Sequence, residues 1–326
     1  MDRDHGRRLE AGAAAVLSAD YQQAVQLLLR LVPTVFSTDA FALKGGTAIN
    51  LFLSPVSRLS VDLDLVFQPL GLSRGEALAS IGGELDGVRE RAAATGLVVR
   101  APGRITGEDT LSLVSDGLTE VKIEVNRVFR GSVLPPRMVD LHPTAQEMFA
   151  THVTARLLTT AEVYAGKAVA ALDRQHPRDL FDVWVRNRDD GYTSSDLDAF
   201  AVYLAGHNRP PHEILAGRDK PIEEPYVTSL LGMTAGTIPS VAELHDTRRL
   251  LRRDVVERMS PQAKEFLTSF FGLSPTWDAL SFDGLERLPA LSGNCTTWKS
   301  SGADAAQTSS DRTTNSRRSS PRAVDD

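Results

Sequence analysis

Two short motifs early in the chain have residue types that could bind a phosphate group and a divalent cation. The glycine turn Lys44–Thr47, Lys-Gly-Gly-Thr, ends fifteen residues before an Asp-x-Asp motif. Apolar and polar residues alternate over residues 60–67, which predicts a strand with one buried face and Ser60, Asp62 and Asp64 on the other. Two carboxylates about 7 Å apart repel each other, and a cation bound between them offsets this electrostatic repulsion. Mg²⁺, or the similar Mn²⁺, fits such a carboxylate site, although a polar edge strand would look the same.

The glycine turn precedes an apolar segment, residues 48–53, that predicts a helix packed on a sheet. Thr47 is placed to cap this helix. Backbone N–H groups of Gly45 and Gly46 at a helix start can bind phosphate, and Lys44 could add a positive charge. The alternative is an ordinary strand-to-helix turn without a ligand.

A second group of charged residues follows in a predicted helical region. Lys167 lies on an apolar helical run that ends before Pro177, where the next helix can begin. Asp179 and Asp182 share a face of that next helix, and Arg178 can pair with Asp182 at i,i+4. A solvated lysine and a surface salt bridge are the simpler interpretations.

The order and spacing of these motifs resemble the AbiEii/AbiGii toxin group of nucleotidyltransferase-like proteins, which includes the MenT-like toxins of type IV toxin–antitoxin systems. The matching elements are the glycine turn, Arg58-x-Ser60-x-Asp62-x-Asp64, the helix of Lys167, and Arg178-Asp179-x-x-Asp182. They cover roughly residues 35 to 190, and their specificity comes from the combination, since each motif alone is weak.

The resemblance implies a role for each matching position. Gly45, Gly46 and Thr47 would hold nucleotide phosphates, with the threonine hydroxyl in the place of a more usual serine. The resemblance also implies the following roles: Asp62 and Asp64 would bind the catalytic metal, Lys167 would contact the phosphates of the transferred nucleotide, Asp182 would complete the acidic or orienting set, and Ser60 is a lesser candidate.

Glu124 is a further candidate metal ligand. Residues 121–126 alternate in the manner of a strand and leave Lys122, Glu124 and Asn126 on one face. Many polymerase-β-like folds take a third carboxylate from a later strand, but the resemblance does not fix Glu124 in that role. Pairing with Lys122 or with a cross-strand base is equally open.

Seven arginines in two groups flank these motifs. The net charge of −6 argues against a globally basic nucleic-acid-binding protein, whereas local arginines can still grip RNA phosphates. Scattered charges that only favour solubility are the alternative. The arginines are Arg127, Arg130, Arg137, Arg174, Arg178, Arg186 and Arg188.

Composition and patterning predict a cytoplasmic α/β protein. With the single cysteine Cys295 the chain cannot form an internal disulfide, and no apolar run approaches the roughly 18 residues of a membrane span. We expect a nucleotidyltransferase-like (polymerase-β-type) mixed sheet with helices in residues 1–140, a mainly α-helical domain in 141–290 that completes the site, and a disordered tail in 291–326.

Finer expectations concern individual segments. A helix over residues 8 to 32 should end at Pro33, and helices should follow from about residue 144 with breaks at Pro177, Gly191 and the Pro210 region. Helices near 240–258 and 261–272 should pack as a hairpin.

These features lead to one main hypothesis and two alternatives. The main hypothesis is a metal-dependent nucleotidyltransferase toxin that transfers NMP from an NTP to an RNA acceptor, with a cognate antitoxin as partner. The tRNA 3′ end as acceptor rests wholly on the resemblance. The alternatives are transfer to a protein or small-molecule hydroxyl, and an inactive nucleotide-binding module.

Overall fold

A mixed seven-stranded sheet forms the centre of the fold, in a computed structural model that describes residues 17–100, 109–234 and 236–295. Its strands are β1 (Phe41–Lys44), β2 (Asp62–Phe67), β3 (Val98–Arg100), β4 (Asp109–Ser115), β5 (Glu120–Asn126), β6 (Arg137–Asp140) and β7 (Thr154–Leu157). Their order across the sheet is β3-β4-β5-β2-β1-β7-β6. Strand β2 therefore lies in the middle, antiparallel to β1 and parallel to β5.

Strand β2 has the two faces that its sequence predicts. Leu63, Leu65 and Phe67 are fully buried, whereas Asp62 and Asp64 are half-buried on the opposite face. Burial of each large apolar side chain contributes about 1.5–3 kcal/mol. A slip of one residue would move these side chains out of the core and the carboxylates into it, so the register of β2 is strongly specified.

Helices cover the sheet and form most of the second half of the described chain. They are α1 (Ala19–Val35), α2 (Gly45–Thr47), α3 (Arg74–Ala94), α4 (Pro143–Phe149), α5 (Thr160–Asp173), α6 (Pro177–Arg188), α7 (Ser194–Ala205), α8 (Pro211–Leu215), α9 (Glu223–Ser229), α10 (Val241–Glu257) and α11 (Pro261–Phe271). Helix α2 continues directly as a π-helical segment, Ala48–Leu53. Helix α5 packs against α2, α6, α7 and α10, while α1 packs against α3 and the sheet. None of the helices in the described ranges is long and apolar enough to cross a membrane.

Helix α1 extends beyond its predicted end. Pro33 lies inside it, and the helix ends at Val35. A proline near a helix end removes only its own N–H bond, and the buried side chains of Leu31, Val32 and Val35 hold the last turn on the core. The part of the predicted helix before residue 17 lies outside the described residues.

The prediction of helices from about residue 144 onward is wrong at β7. This strand runs parallel to β1, with Leu157 opposite Leu43. Ala155 and Leu157 are buried, so the strand alternates, but four residues are too few for a period of two to be recognised in sequence. The sheet therefore continues past residue 140, the end of the predicted α/β domain.

Further corrections concern the C-terminal part. Breaks before Pro177, at Gly191 and at Pro210 are confirmed, since α6, α7 and α8 begin after them. Helices α10 and α11 do not form the predicted hairpin, because α10 packs mainly on α6 and α11 on α7. The predicted disordered tail is wrong for residues 291–295, which are helical, with Leu291 and Cys295 buried. Its remainder, residues 296–326, lies outside the described residues.

Candidate active site

Three carboxylates meet on neighbouring strands at the centre of the sheet. In the parallel pair β2–β5, Asp64 lies opposite Glu124 and Asp62 lies opposite Lys122. On the other side of β2, Lys44 of β1 lies opposite Asp64. Since adjacent strands are about 4.8 Å apart, this register brings carboxylates from two distant parts of the sequence onto one small area.

Two cavities open beside these carboxylates. The first cavity, of about 380 Å³, is bounded by β1, β2, β5, α5 and α7, and the second, of about 320 Å³, lies towards the α5–α6 connection. Asp64, Glu124, Lys167 and Arg174 line both cavities. Among the residues predicted from sequence, Lys44 and Gly45 also line the first cavity, while Gly46, Ser60 and Asp62 line the second.

The glycine turn is shaped by contact with the charged residues around it. Gly45 has a φ of +74°, and a Cβ added there would overlap the carboxylate of Asp64. A Cβ at Gly46 would lie 2.5 Å from Nη2 of Arg58 and 2.8 Å from the Ser60 hydroxyl. Both glycines thus allow the backbone to approach side chains that line the cavities.

Thr47 does not cap a helix, and that prediction is wrong. The helix begins two residues earlier, at Gly45, and Thr47 is completely buried. Its hydroxyl donates a hydrogen bond to the backbone carbonyl of Asp62 at 2.5 Å and lies 3.0 Å from the Ser60 hydroxyl. The side chain therefore ties the glycine turn to β2, and the backbone of the turn together with Lys44, which lines the first cavity, remains for phosphate.

Lys167 is held by two aspartates of α6. Its Nζ donates to Asp179 Oδ1 at 2.9 Å and pairs with Asp182 Oδ2 at 2.9 Å. Arg174 pairs with Asp179 at 2.9 Å from the cavity side. The solvated-lysine interpretation is wrong, since Lys167 is 6% exposed. This arrangement fixes the ammonium group at the point where the two cavities join.

Asp182 lies behind the cavities and pairs with Arg58 rather than with Arg178. Arg58 donates from Nε and Nη2 to the two carboxylate oxygens at 2.7 and 2.6 Å, and Asn50 donates to Oδ1 at 3.1 Å. Asp182 is 1% exposed and Arg58 3%, so the surface salt bridge considered from sequence is wrong. Asp182 also contacts Lys167, and the orienting role that the resemblance implies for it stays a prediction.

Sequence reasoning assigned no role to Arg58 or Asn50 and gave Asp179 no place in the site. Arg58 stands in the matching motif two residues before Ser60, and Asn50 follows Gly46 by one helical turn. Asn50 also donates to the Gly46 carbonyl at 3.0 Å. The sequence signal for Asn50 was its polar side chain in an otherwise apolar helical segment, and the signal for Arg58 was its place in that motif.

The opposite charges around Asp179 and Asp182 outweigh the effect of burial on their pKa values. Burial alone would raise the pKa of each carboxyl group. The charges of Lys167 and Arg174 nevertheless hold the pKa of Asp179 below its usual range. The charges of Arg58 and Lys167 do the same for the pKa of Asp182. For Arg58, burial opposes the charge, yet Asp182 raises its pKa above the ordinary value.

We expect the protein to lose stability in acid because of these two aspartates. An unfolded aspartate titrates near pH 3.9, whereas the folded pKa values lie lower, so the stabilisation is complete above about pH 4 and is lost as the pH falls further. Each unit of pKa lowering corresponds to about 1.4 kcal/mol. Urea unfolding between pH 6 and pH 2.5 measures this slope, and Asp179→Asn should flatten it. An unfolding free energy independent of pH below 4 would contradict the expectation.

The surroundings of Asp62 disfavour its charged form. Burial, and then the charge of Asp64, raise the pKa of Asp62. A divalent cation beside both carboxylates would offset the repulsion between them. Within the described part of the chain, no group of three or more histidine, cysteine, aspartate and glutamate side chains is already arranged around one ion position. Mg²⁺ needs only one or two protein carboxylates together with water and phosphate oxygens, so the donor set fits it.

Of the seven arginines predicted to bind RNA phosphates, two line a cavity and two are buried, while Arg127, Arg137 and Arg188 do neither. Arg174 and Arg178 line the second cavity together with Lys122 and His176. In contrast, Arg186 is buried and pairs with Asp196 at 3.0 Å, so it is not available to a ligand. Arg130 is also buried, and burial lowers its pKa.

Comparisons with known proteins agree on one group. The family model described as "Nucleotidyl transferase AbiEii toxin, Type IV TA system" matches residues 26–283. No curated protein sequence matches the chain. Among solved structures, the chain is similar to the nucleotidyltransferase toxin MenT4 of Mycobacterium tuberculosis, with 17% identity, 86% of this chain and 93% of that chain covered, and a TM-score of 0.56. At this identity the structural likeness shows the fold alone.

Proposed function

Because the chain belongs to the AbiEii family of nucleotidyl transferase toxins of type IV toxin–antitoxin systems, we propose that it transfers an NMP unit from an NTP to an RNA acceptor. The proposal rests on the register that places Asp64 opposite Glu124 and beside Asp62, next to the glycine turn. The mixed sheet with helices is the fold of the structurally similar toxin.

The chain's own residues divide the reaction between binding and positioning. The backbone of Gly45 and Gly46 would bind phosphate oxygens at the start of the helix. Asp62 and Asp64, with Glu124 beside them, would hold Mg²⁺, which supplies charge neutralisation for the triphosphate when bound. Lys167, which is held by Asp179 and Asp182, would contact the phosphates of the transferred nucleotide. The acceptor hydroxyl would attack the α-phosphorus and give its proton to water, so that an oxygen–phosphorus bond to the acceptor forms as the bond to the pyrophosphate leaving group breaks in line.

The acceptor is proposed to be RNA, and specifically the 3′ end of tRNA. Exposed Lys122 and Arg174, with Arg178, place positive charge on the wall of the second cavity, where an RNA backbone would be attracted. Addition of a nucleotide to the acceptor end would block aminoacylation and so inhibit translation. The family implies an antitoxin as the cognate partner.

Labelled nucleotides test the proposal directly. Purified protein is incubated with Mg²⁺, total tRNA and each α-labelled NTP in turn, beside the Asp62→Ala/Asp64→Ala variant. Label that reaches RNA with the wild type alone would support the proposal and name the nucleotide. Label on protein or on a small molecule would favour the alternative acceptor. Binding of NTP without transfer to any acceptor would favour an inactive binding module.

We expect Gly45→Ala to lower the rate of nucleotide transfer far more than Gly71→Ala does, although both variants lose a similar amount of stability. The new Cβ would displace the Asp64 carboxylate, and a misplacement of about 1 Å at a reacting centre can cost about a hundred-fold in rate. Gly71→Ala is the matched control, because Gly71 has a φ of +81° with no atom within 4 Å of its added Cβ. Both substitutions cost about 1–2 kcal/mol of backbone strain. Equal activity losses in the two variants would contradict the assigned contact.

A further inference from the structure

The two cavities differ in the chemistry of their walls. The second cavity is lined almost wholly by charged and polar side chains, among them Arg58, Lys122 and Arg178. The first cavity has an apolar wall, formed by Val128, Phe129, Val163, Val169, Ala170 and Tyr203. Since Asp64, Glu124 and Lys167 line both, the two cavities meet at the carboxylates.

An aromatic pair forms part of the wall of the first cavity. Phe129 and Tyr203 stack with ring centroids 4.4 Å apart and ring planes at 18°. The Tyr203 hydroxyl lies 3.5 Å from the buried carboxylate of Glu162, which also accepts the Val133 N–H at 2.6 Å. These bonds connect the tyrosine ring to the loop after β5 and to α5.

Two glycines let the backbone pack closely against this pair. A Cβ at Gly206 would lie 2.9 Å from Phe129 Cε2, and one at Gly166 would lie 3.3 Å from Tyr203 Cε1. Gly166 precedes Lys167, and Ala170 lines the cavity one helical turn later. The Tyr203 ring therefore packs against α5 at Gly166, next to Lys167, and the small side chain of Ala170 lines the cavity one turn further on.

We propose that the first cavity binds the nucleoside of the NTP, with its base against Phe129 and Tyr203, while the triphosphate extends past Asp64 towards the second cavity. This inference rests on the proposed function and names where each half of the nucleotide lies. Aromatic rings stack with any base, and a half-apolar cavity of this size accepts a nucleoside, whereas the charged walls of the second cavity suit phosphates.

Binding experiments without acceptor separate the two halves of the ligand. Calorimetry with Mg²⁺ measures the affinity for each NTP and for inorganic tripolyphosphate, which has no nucleoside. Phe129→Ala removes the stacking surface and should weaken NTP binding about ten-fold, and Ala170→Leu should do the same by filling the cavity. Tripolyphosphate affinity should stay unchanged in both variants. Ala93→Leu, on the exposed surface of α3, controls for the added side chain.

Several outcomes would overturn the assignment. These are unchanged NTP affinity in both variants, equal weakening for NTP and tripolyphosphate, or a wild type that binds NTP no better than tripolyphosphate. If Ala170→Leu raised only the KM for RNA, the cavity would belong to the acceptor's terminal nucleoside. Selective loss of NTP binding together with no transfer to RNA would refute the proposed reaction and leave the nucleoside site standing.

Discussion

Asp64→Asn is expected to lower nucleotide transfer by roughly a thousand-fold or more while the protein stays folded. Asp64 is in register with both Lys44 and Glu124 and lines both cavities, so it lies at the centre of the proposed reaction. The amide keeps the shape of the side chain but removes the charge that would hold the cation. Loss of a metal ion's charge stabilisation costs several kcal/mol, and about 1.4 kcal/mol corresponds to ten-fold in rate.

The measurement is transfer of α-labelled NMP to RNA at saturating Mg²⁺, with circular dichroism and thermal unfolding as checks of the fold. Asp86→Asn is the matched control, since Asp86 is an exposed aspartate on α3 that pairs only with its helix neighbour Arg89 in the described structure. It should retain full activity. Expression of Asp64→Asn in cells should also no longer arrest growth. A folded Asp64→Asn protein with wild-type activity would contradict the metal-binding role of Asp64.

Local periodicity accounts for what sequence alone could predict of this site. The period of two in β2 placed Asp62 and Asp64 on one face because the apolar residues between them had to be buried. The same rule placed Glu124 on one face of its own strand. It could not show that β5 pairs with β2 in the register that sets Glu124 opposite Asp64, because strand pairing depends on the whole sheet.

Contacts between distant residues account for what was missed. Arg58 and Asp182 are separated by 124 positions, and helical spacing could suggest only the local partner Arg178. Thr47 was placed at a helix start because threonine often caps, but the left-handed Gly45 lets the helix begin two residues earlier. The wrong assignments therefore have two causes, a partner that only the fold brings together for Asp182 and a local backbone conformation for Thr47.

Arg58→Met is expected to destabilise the protein by about 3–5 kcal/mol, because it leaves the buried carboxylate of Asp182 without its main partner. Lys167 and Asn50 still contact Asp182, so the loss should fall short of complete unfolding. Urea unfolding at pH 7 measures the change. Arg89→Met, which breaks the exposed pair with Asp86, should cost less than about 1 kcal/mol. Similar losses in the two variants would show that the buried pair contributes no more than a surface one.

A double variant separates the stabilising role of this pair from its role in the site. Replacing both partners with apolar residues, Arg58→Met/Asp182→Leu, removes the unpaired charge and should recover most of the lost stability. Lys167 would then keep Asp179 as its partner but lose its second anchor. We expect transfer activity to stay low in this stable double variant, because a lysine held by one carboxylate instead of two is positioned less precisely beside the nucleotide phosphates. If stability and activity returned together, Asp182 would act only through the fold, and the positioning of Lys167 would depend on Asp179 alone.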